Sequence, residues 1–185
     1  MAVPTYTNFG ENTNRLTQAK KAFDVVRLLL DRANTALADC AKDQSEQDRF
    51  VFWFGQYDED ARKQVHAVIH SMLVQLSDRV VTVNHGGRAC ASGVFAYVEG
   101  AVVGDGPGSG PTIFLCQQFF SAPFYGDDSQ VGTILHESSH AVADTEDLGY
   151  GRTHCRQLAQ YSPAQARSNA YNYEFYIESF KTAAP

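Results

Sequence analysis

The segment Thr133-Ile134-Leu135-His136-Glu137-Ser138-Ser139-His140 places two histidines four residues apart, with a glutamate directly after the first. On an α-helix, positions four apart lie on one face about one turn apart, so both imidazoles can reach a single Zn²⁺ at about 2.0–2.1 Å. Glu137 then stands beside the first ligand, where a carboxylate can take the proton of a water attacking a polarised carbonyl. The pattern predicts zinc-dependent hydrolysis of peptide bonds, with His136 and His140 as ligands and Glu137 as general base. Val131, Ile134, Leu135 and Val142 surround the motif, so its helix is expected to be largely buried. Two histidines and a glutamate buried there without a partner would be costly.

A catalytic zinc site needs a third protein ligand and one open position. The metzincin arrangement places Gly and His three and six residues after the second histidine, and Ala143 and Glu146 stand there instead. One remaining source is a glutamate on a later helix, Glu174 or Glu178. The other is Asp147. On a continuous helix Asp147 would lie about 10 Å along the axis from the histidines. An Asp147 ligand therefore requires the chain to reverse after Ala143, and Asp144-Thr145 has turn chemistry. His66 and His70 are also four apart, but no glutamate follows His66, and the apolar face of their helix explains the spacing. His154 reads as the neighbour of a disulfide cysteine, and His85 falls in a glycine-rich turn.

The elements that must position these residues read as follows. Residues 1–13 are expected to be an irregular N-terminal arm. Leu16, Ala19, Phe23, Val26, Leu30, Ala33 and Leu37 form one face of a long helix ending near Asp39. Asp43 and Glu46 open a second helix that Gly55 stops, and Asp58 or Asp60 caps a third carrying Val65, Val68, Met72 and Leu76. Segments 79–83, 93–98 and 112–116 read as short strands. The glycine-rich run Gly104–Gly110 reads as a hairpin connection rather than a phosphate cradle, because no G-K-[ST] follows. The motif helix begins at Asp127-Asp128-Ser129 and runs to about Ala143. A last helix opens at Ser162-Pro163 with the stripe Ala166, Ala170, Tyr173, Ile177 and Phe180. The expected fold class is α+β: one helix-rich domain over residues 1–185 with a small central sheet.

With 44% hydrophobic and 19% charged residues, the chain reads as globular rather than disordered. Its net charge of −6 argues against nucleic-acid and membrane-surface partners, which would want a basic patch. Protein or peptide substrates and a monomeric state are expected. The opening residues lack a secretory signal pattern, so the chain is either cytoplasmic or a mature secreted form. Four well-spread cysteines without a C-x-x-C pair favour two disulfides, and with them secretion.

Thr145, Asp147, Tyr150 and Gly151 form T-x-D-x-x-Y-G behind H-E-x-x-H, which resembles the aspzincin metallopeptidases, the group of deuterolysin and the fungal peptidyl-Lys metalloendopeptidases. Trp53-Phe54-Gly55, Ile113-Phe114-Leu115-Cys116 with Phe119-Phe120 and Ala122-Pro123, and Asn169-Ala170 with Tyr173-Glu174 extend the likeness in the family's order. The resemblance implies a zincin-like fold in which His136, His140 and Asp147 bind zinc and Glu137 is the base. Tyr150 would donate a hydrogen bond to the oxyanion, a role worth about 3 kcal/mol in comparable sites. It also implies a Cys90–Cys116 bridge, leaving Cys40 with Cys155. Two features depart from the family: Asp144 replaces its usual glycine, and the stretch from His140 to Asp147 is shorter. In Lys-specific members, an Asp and a Glu three residues apart on the final helix receive the substrate's lysine. Tyr171 and Glu174 hold those positions here, which implies a weakened preference for a basic residue after the scissile bond. A non-catalytic binding protein on the same fold is the alternative, against which the intact Glu137 and Tyr150 speak.

Overall fold

The computed structural model describes residues 4–78, 80–99 and 109–181. Three helices form the first half. α1 (Thr13–Asp39) buries Ala19, Ala22, Phe23, Val26, Leu29, Leu30, Ala33 and Leu37, and Asn12 caps it by accepting from the Arg15 amide at 3.2 Å. α2 (Gln44–Phe54) starts with the Asp43 carboxylate accepting from the Ser45 amide. It ends at Gly55, whose φ of 80° lies in the left-handed region and where a Cβ would run into the Ala159 carbonyl. α3 (Glu59–Asp78) is capped by Asp58, which accepts from the Ala61 amide at 2.8 Å. All three helices lie where the periodicity and the caps put them.

The sheet has four strands in the order β1-β2-β4-β3. β1 (Thr5–Thr7) runs parallel to β2 (Val80–His85), and β2 runs parallel to β4 (Ser109–Leu115). β3 (Ala96–Glu99) pairs antiparallel with β4 and forms the end of the sheet. The N-terminal arm is therefore not wholly irregular. Its Thr5–Thr7 stretch adds an edge strand, a pairing across 77 residues that no local pattern marks. The glycine-rich run read as a hairpin lies mostly outside the described residues.

The second half holds α4 (Gln117–Ser121), α5 (Gln130–Ala143), α6 (Gly151–Tyr161), α7 (Pro163–Ala166) and α8 (Ala170–Glu178). α5 runs to Ala143, and the Ser129 hydroxyl caps it by accepting from the Gly132 amide at 2.9 Å. α6 was not anticipated; with only Cys155, Leu158 and Ala159 buried, its apolar stripe is short. The single last helix expected from Ser162 is broken into α7 and α8. Between them Asn169 pairs with Glu146 of the chain returning from α5, which takes the backbone out of the helical ladder. α8 is buried from Asn172 through Glu178. Packed against it are α5 on one side and α2, with Trp53 and Phe54, on another.

Cys90 and Cys116 form a disulfide that ties the loop before β3 to the end of β4. The second expected bridge is absent. Cys40 and Cys155 are both free and buried, and the Cys155 thiol lies against the Gly149 carbonyl and the Asn169 amide.

Candidate metal centre and active site

α5 turns His136 and Glu137 toward one cleft with His140 beside His136, and the apolar side of the same helix buries Val131, Ile134 and Leu135 completely. Burying each of those side chains contributes about 1.5–3 kcal/mol, so the ligand pair sits on a rigid support. The two Nε2 atoms are 3.0 Å apart. The His140 Nδ1–H donates to the Thr145 carbonyl at 2.6 Å, which fixes the tautomer and leaves the Nε2 lone pair directed at the site. Burial holds the His136 pKa below its ordinary value, more than Asp147 raises it. His136 is therefore a neutral donor.

The reversal after α5 occurs at Asp144, with φ 48° and ψ 39° in the left-handed region that Asp tolerates better than most residues. Thr145 turns inward and bonds the Ser139 hydroxyl at 2.8 Å. Asn169 then anchors the returning chain: its side-chain carbonyl accepts from the Leu148 and Gly149 amides at 2.9 and 3.2 Å. Asp147 is held between these anchors, with Oδ1 3.2 Å from His136 Nε2 and 3.5 Å from His140 Nε2. The neighbouring His136 and His140 hold its pKa below the usual carboxylate range.

These three side chains form the one group of three or more His, Cys, Asp and Glu able to surround a metal ion among the described residues. Three corners of a tetrahedron with zinc bond lengths are about 3.3 Å apart. The observed separations of 3.0, 3.2 and 3.5 Å and the N,N,O donor set fit that ion. His66 and His70 do not form a second such site; both donate to the Asn34 side-chain oxygen.

Glu137 lines a cleft of about 210 Å³ together with Asp128, Thr133, His136, Asp147, Tyr171 and Glu174, and Gly93–Ala96 form its opposite wall. Burial, and secondly the charge of Asp147, pushes the Glu137 pKa up to about 8.

Tyr150 is exposed, and its hydroxyl donates to the Asp128 carboxylate, 2.9 Å from each oxygen. Tyr171 packs its ring 4.3 Å from that of His136. Glu174 is 3% exposed on α8, with Oε2 3.7 Å from His136 Nδ1, beyond hydrogen-bond length. Burial, with Glu178 adding to it, raises the Glu174 pKa well above the usual carboxylate range. Gly132 makes room for this side chain, since a Cβ there would collide with Glu174 Oε1. Glu178 accepts from Ser129 at 3.0 Å and from Arg152 at 3.1 Å, at the far end of α5 from the cleft's donors. Neither glutamate stands where the two Nε2 atoms converge. Three residues that the chemical reading passed over also build the site: Asp128, seen only as a helix-start signal, Thr145, whose carbonyl accepts from His140, and Asn169, noted only within a motif.

Comparison with known proteins identifies the family. Residues 39–178 match the aspzincin family model, described as lysine-specific metallo-endopeptidase. An extracellular protease of Aeromonas hydrophila is 35% identical over 149 residues, covering 80% of this chain and 40% of that protein. A peptidyl-Lys metalloendopeptidase of Armillaria mellea is 33% identical over 133 residues, covering 71% of this chain and 35% of its own. The chain thus spans two fifths or less of the length of these two relatives. A zinc peptidase structure from Grifola frondosa superposes with a TM-score of 0.70 at 28% identity, covering 92% of this chain and 96% of that one. Members of this family take an aspartate as third ligand, which sets aside the glutamate alternatives Glu174 and Glu178. With the match spanning most of its length and the fold shared, the chain belongs to the aspzincin family.

Proposed function

We propose that the protein is a zinc-dependent endopeptidase. The convergence of His136 Nε2, His140 Nε2 and Asp147 Oδ1 in a cleft that also holds Glu137 carries this reading. Bound zinc supplies Lewis acidity, polarising a carbonyl and acidifying water. Glu137 takes the proton of the attacking water and passes it to the departing amine, from its place in the cleft beside Asp147. Tyr150, once released from Asp128, donates its hydroxyl to the oxyanion. β3 ends the sheet beside the cleft, so an extended peptide can add antiparallel to its outer edge and run past the site in both directions. That geometry supports cleavage within chains.

The preference after the scissile bond is for a basic residue, without strict selection of lysine. Glu174 supplies a carboxyl to the cleft, but Tyr171 covers the His136 ring where Lys-specific members carry an aspartate. The Cys90–Cys116 disulfide and the extracellular Aeromonas relative support action outside the cell.

Zinc content and casein cleavage of the wild type beside Glu137→Ala and Asp147→Ala test the reading. About one zinc per chain in wild type and Glu137→Ala, cleavage by the wild type alone and zinc lost from Asp147→Ala are expected. Zinc without cleavage in the wild type would point to a binding module. Absence of zinc would overturn the reading. Sequencing the fragments tests the basic preference.

A further inference from the structure

Two consecutive aspartates before α5 grip the start of α6. Asp127 accepts from Arg152 Nε at 2.9 Å, and Arg152 continues to Glu178 and over the Phe175 ring, so this half of the grip ends in the protein interior. Asp128 accepts from the Tyr150 hydroxyl, and this half ends over the cleft. Tyr150 precedes α6 three residues after Asp147, and its ring stands edge-on to Tyr171 at 5.2 Å. Tyr171 in turn covers His136. The Tyr150 side chain is otherwise open to solvent, at 61% exposure, and would be free to swing without the carboxylate. Asp128 has φ 52°, a left-handed conformation that non-glycine residues hold where surroundings or function fix them.

We propose that Asp128 is a positioning residue: it holds the Tyr150 phenol at the mouth of the cleft and yields it to the substrate's oxyanion. The proposal rests on the oxyanion role of Tyr150 given above. No covalent bond changes at the pair. The phenol stays protonated and donates the same hydrogen, first to Asp128 and then to the carbonyl oxygen. The bond to Asp128 also keeps the phenol pKa above its ordinary value, and with it the hydrogen in place. The two carboxylate oxygens share one hydrogen at equal 2.9 Å distances, a divided bond that a single directed bond to a developing negative charge can replace. Asp128 is exposed, so water takes up its carboxylate when the phenol leaves.

The test measures kcat, KM and zinc content for wild type, Tyr150→Phe, Asp128→Ala, Asp128→Asn and the double variant Asp128→Ala/Tyr150→Phe. Loss of the phenol is expected to lower kcat about 100-fold. Asp128→Ala is expected to lower kcat about 10-fold with zinc and KM retained. Asp128→Asn, which keeps an acceptor oxygen, should recover part of that loss, and the double variant should be no slower than Tyr150→Phe alone. Three results would overturn the proposal: losses that multiply in the double variant, a raised KM for basic substrates with kcat intact, or zinc lost in step with activity from both Asp128 variants. Full kcat in Tyr150→Phe would remove the oxyanion reading itself and the proposal with it.

Discussion

α5 and α8 pack against each other, and both carry carboxyl groups away from water, yet they hold them in different ways. On α5, Glu137 belongs to the cleft-facing side of an amphipathic helix and is partly buried, with the Asp147 charge near it. On α8, which is buried nearly all round, Glu178 has a built cage of Ser129 and Arg152, while Glu174 lies in a space that Gly132 leaves open. The contrast separates cleft-lining carboxyls left short of partners from the Glu178 carboxyl, whose partners tie α8 to the starts of α5 and α6. A buried charge is tolerated where partners surround it, and a reactive one is left short of partners.

Substitutions that remove one kind of carboxyl and spare the other sharpen this comparison. Glu137→Gln is expected to lower kcat about 1,000-fold while zinc content and denaturation midpoint stay close to wild type, which peptide hydrolysis and metal analysis would check. Arg152→Met leaves the Glu178 carboxylate with the Ser129 hydroxyl. It should destabilise the fold by about 2 kcal/mol, below the value for a fully buried pair because Arg152 is partly exposed; urea unfolding measures it. Gly132→Ala forces Glu174 aside and should cost about 1 kcal/mol net, overpacking offset in part by the better helix propensity of alanine.

The pH dependence of the metal-free protein distinguishes the two helices further. A carboxyl whose folded pKa is raised favours the folded state when protonated. Its contribution is full below the unfolded pKa of about 4.3 and is lost as pH rises through the folded value. For Glu137 that window closes at about pH 8, and burial acts in the same direction on Glu174 and Glu178. The urea midpoint of the metal-free protein should therefore fall from pH 5 to pH 8, and Glu137→Gln should flatten part of the slope. Zinc should flatten it too, because a nearby cation favours the carboxylate form. The smallest effect concerns the thiols: unreduced protein should show no reactive thiol when native and two when denatured, from Cys40 and Cys155.

Much of this arrangement was legible in the chain. The stripe on α1, the caps Asp43 and Asp58, the stop at Gly55 and the span of α5 are short-range features, and each lies where its pattern put it. Asp147 was legible as a candidate third ligand only beside Glu174 and Glu178, until a family likeness favoured it. Helix α6 escaped because its apolar stripe is short, and three further features escaped: the parallel pairing of Thr5–Thr7, the break between α7 and α8, and the separation of Cys40 from Cys155. Each of these three depends on a contact between segments far apart in sequence.

The spacing of His136, Glu137 and His140 was set by the sequence alone, because a helix repeats every 3.6 residues whatever packs against it. The place of Asp147 was decided by the tertiary structure. Asn169 lies 21 and 20 residues beyond the Leu148 and Gly149 amides that it holds, and only when α8 docks does that side chain draw the returning loop under the two imidazoles. The same docking sets Glu178 against Ser129 across 49 residues. A helical period is a property of the backbone, whereas a bond between distant segments exists only after the core has formed around it.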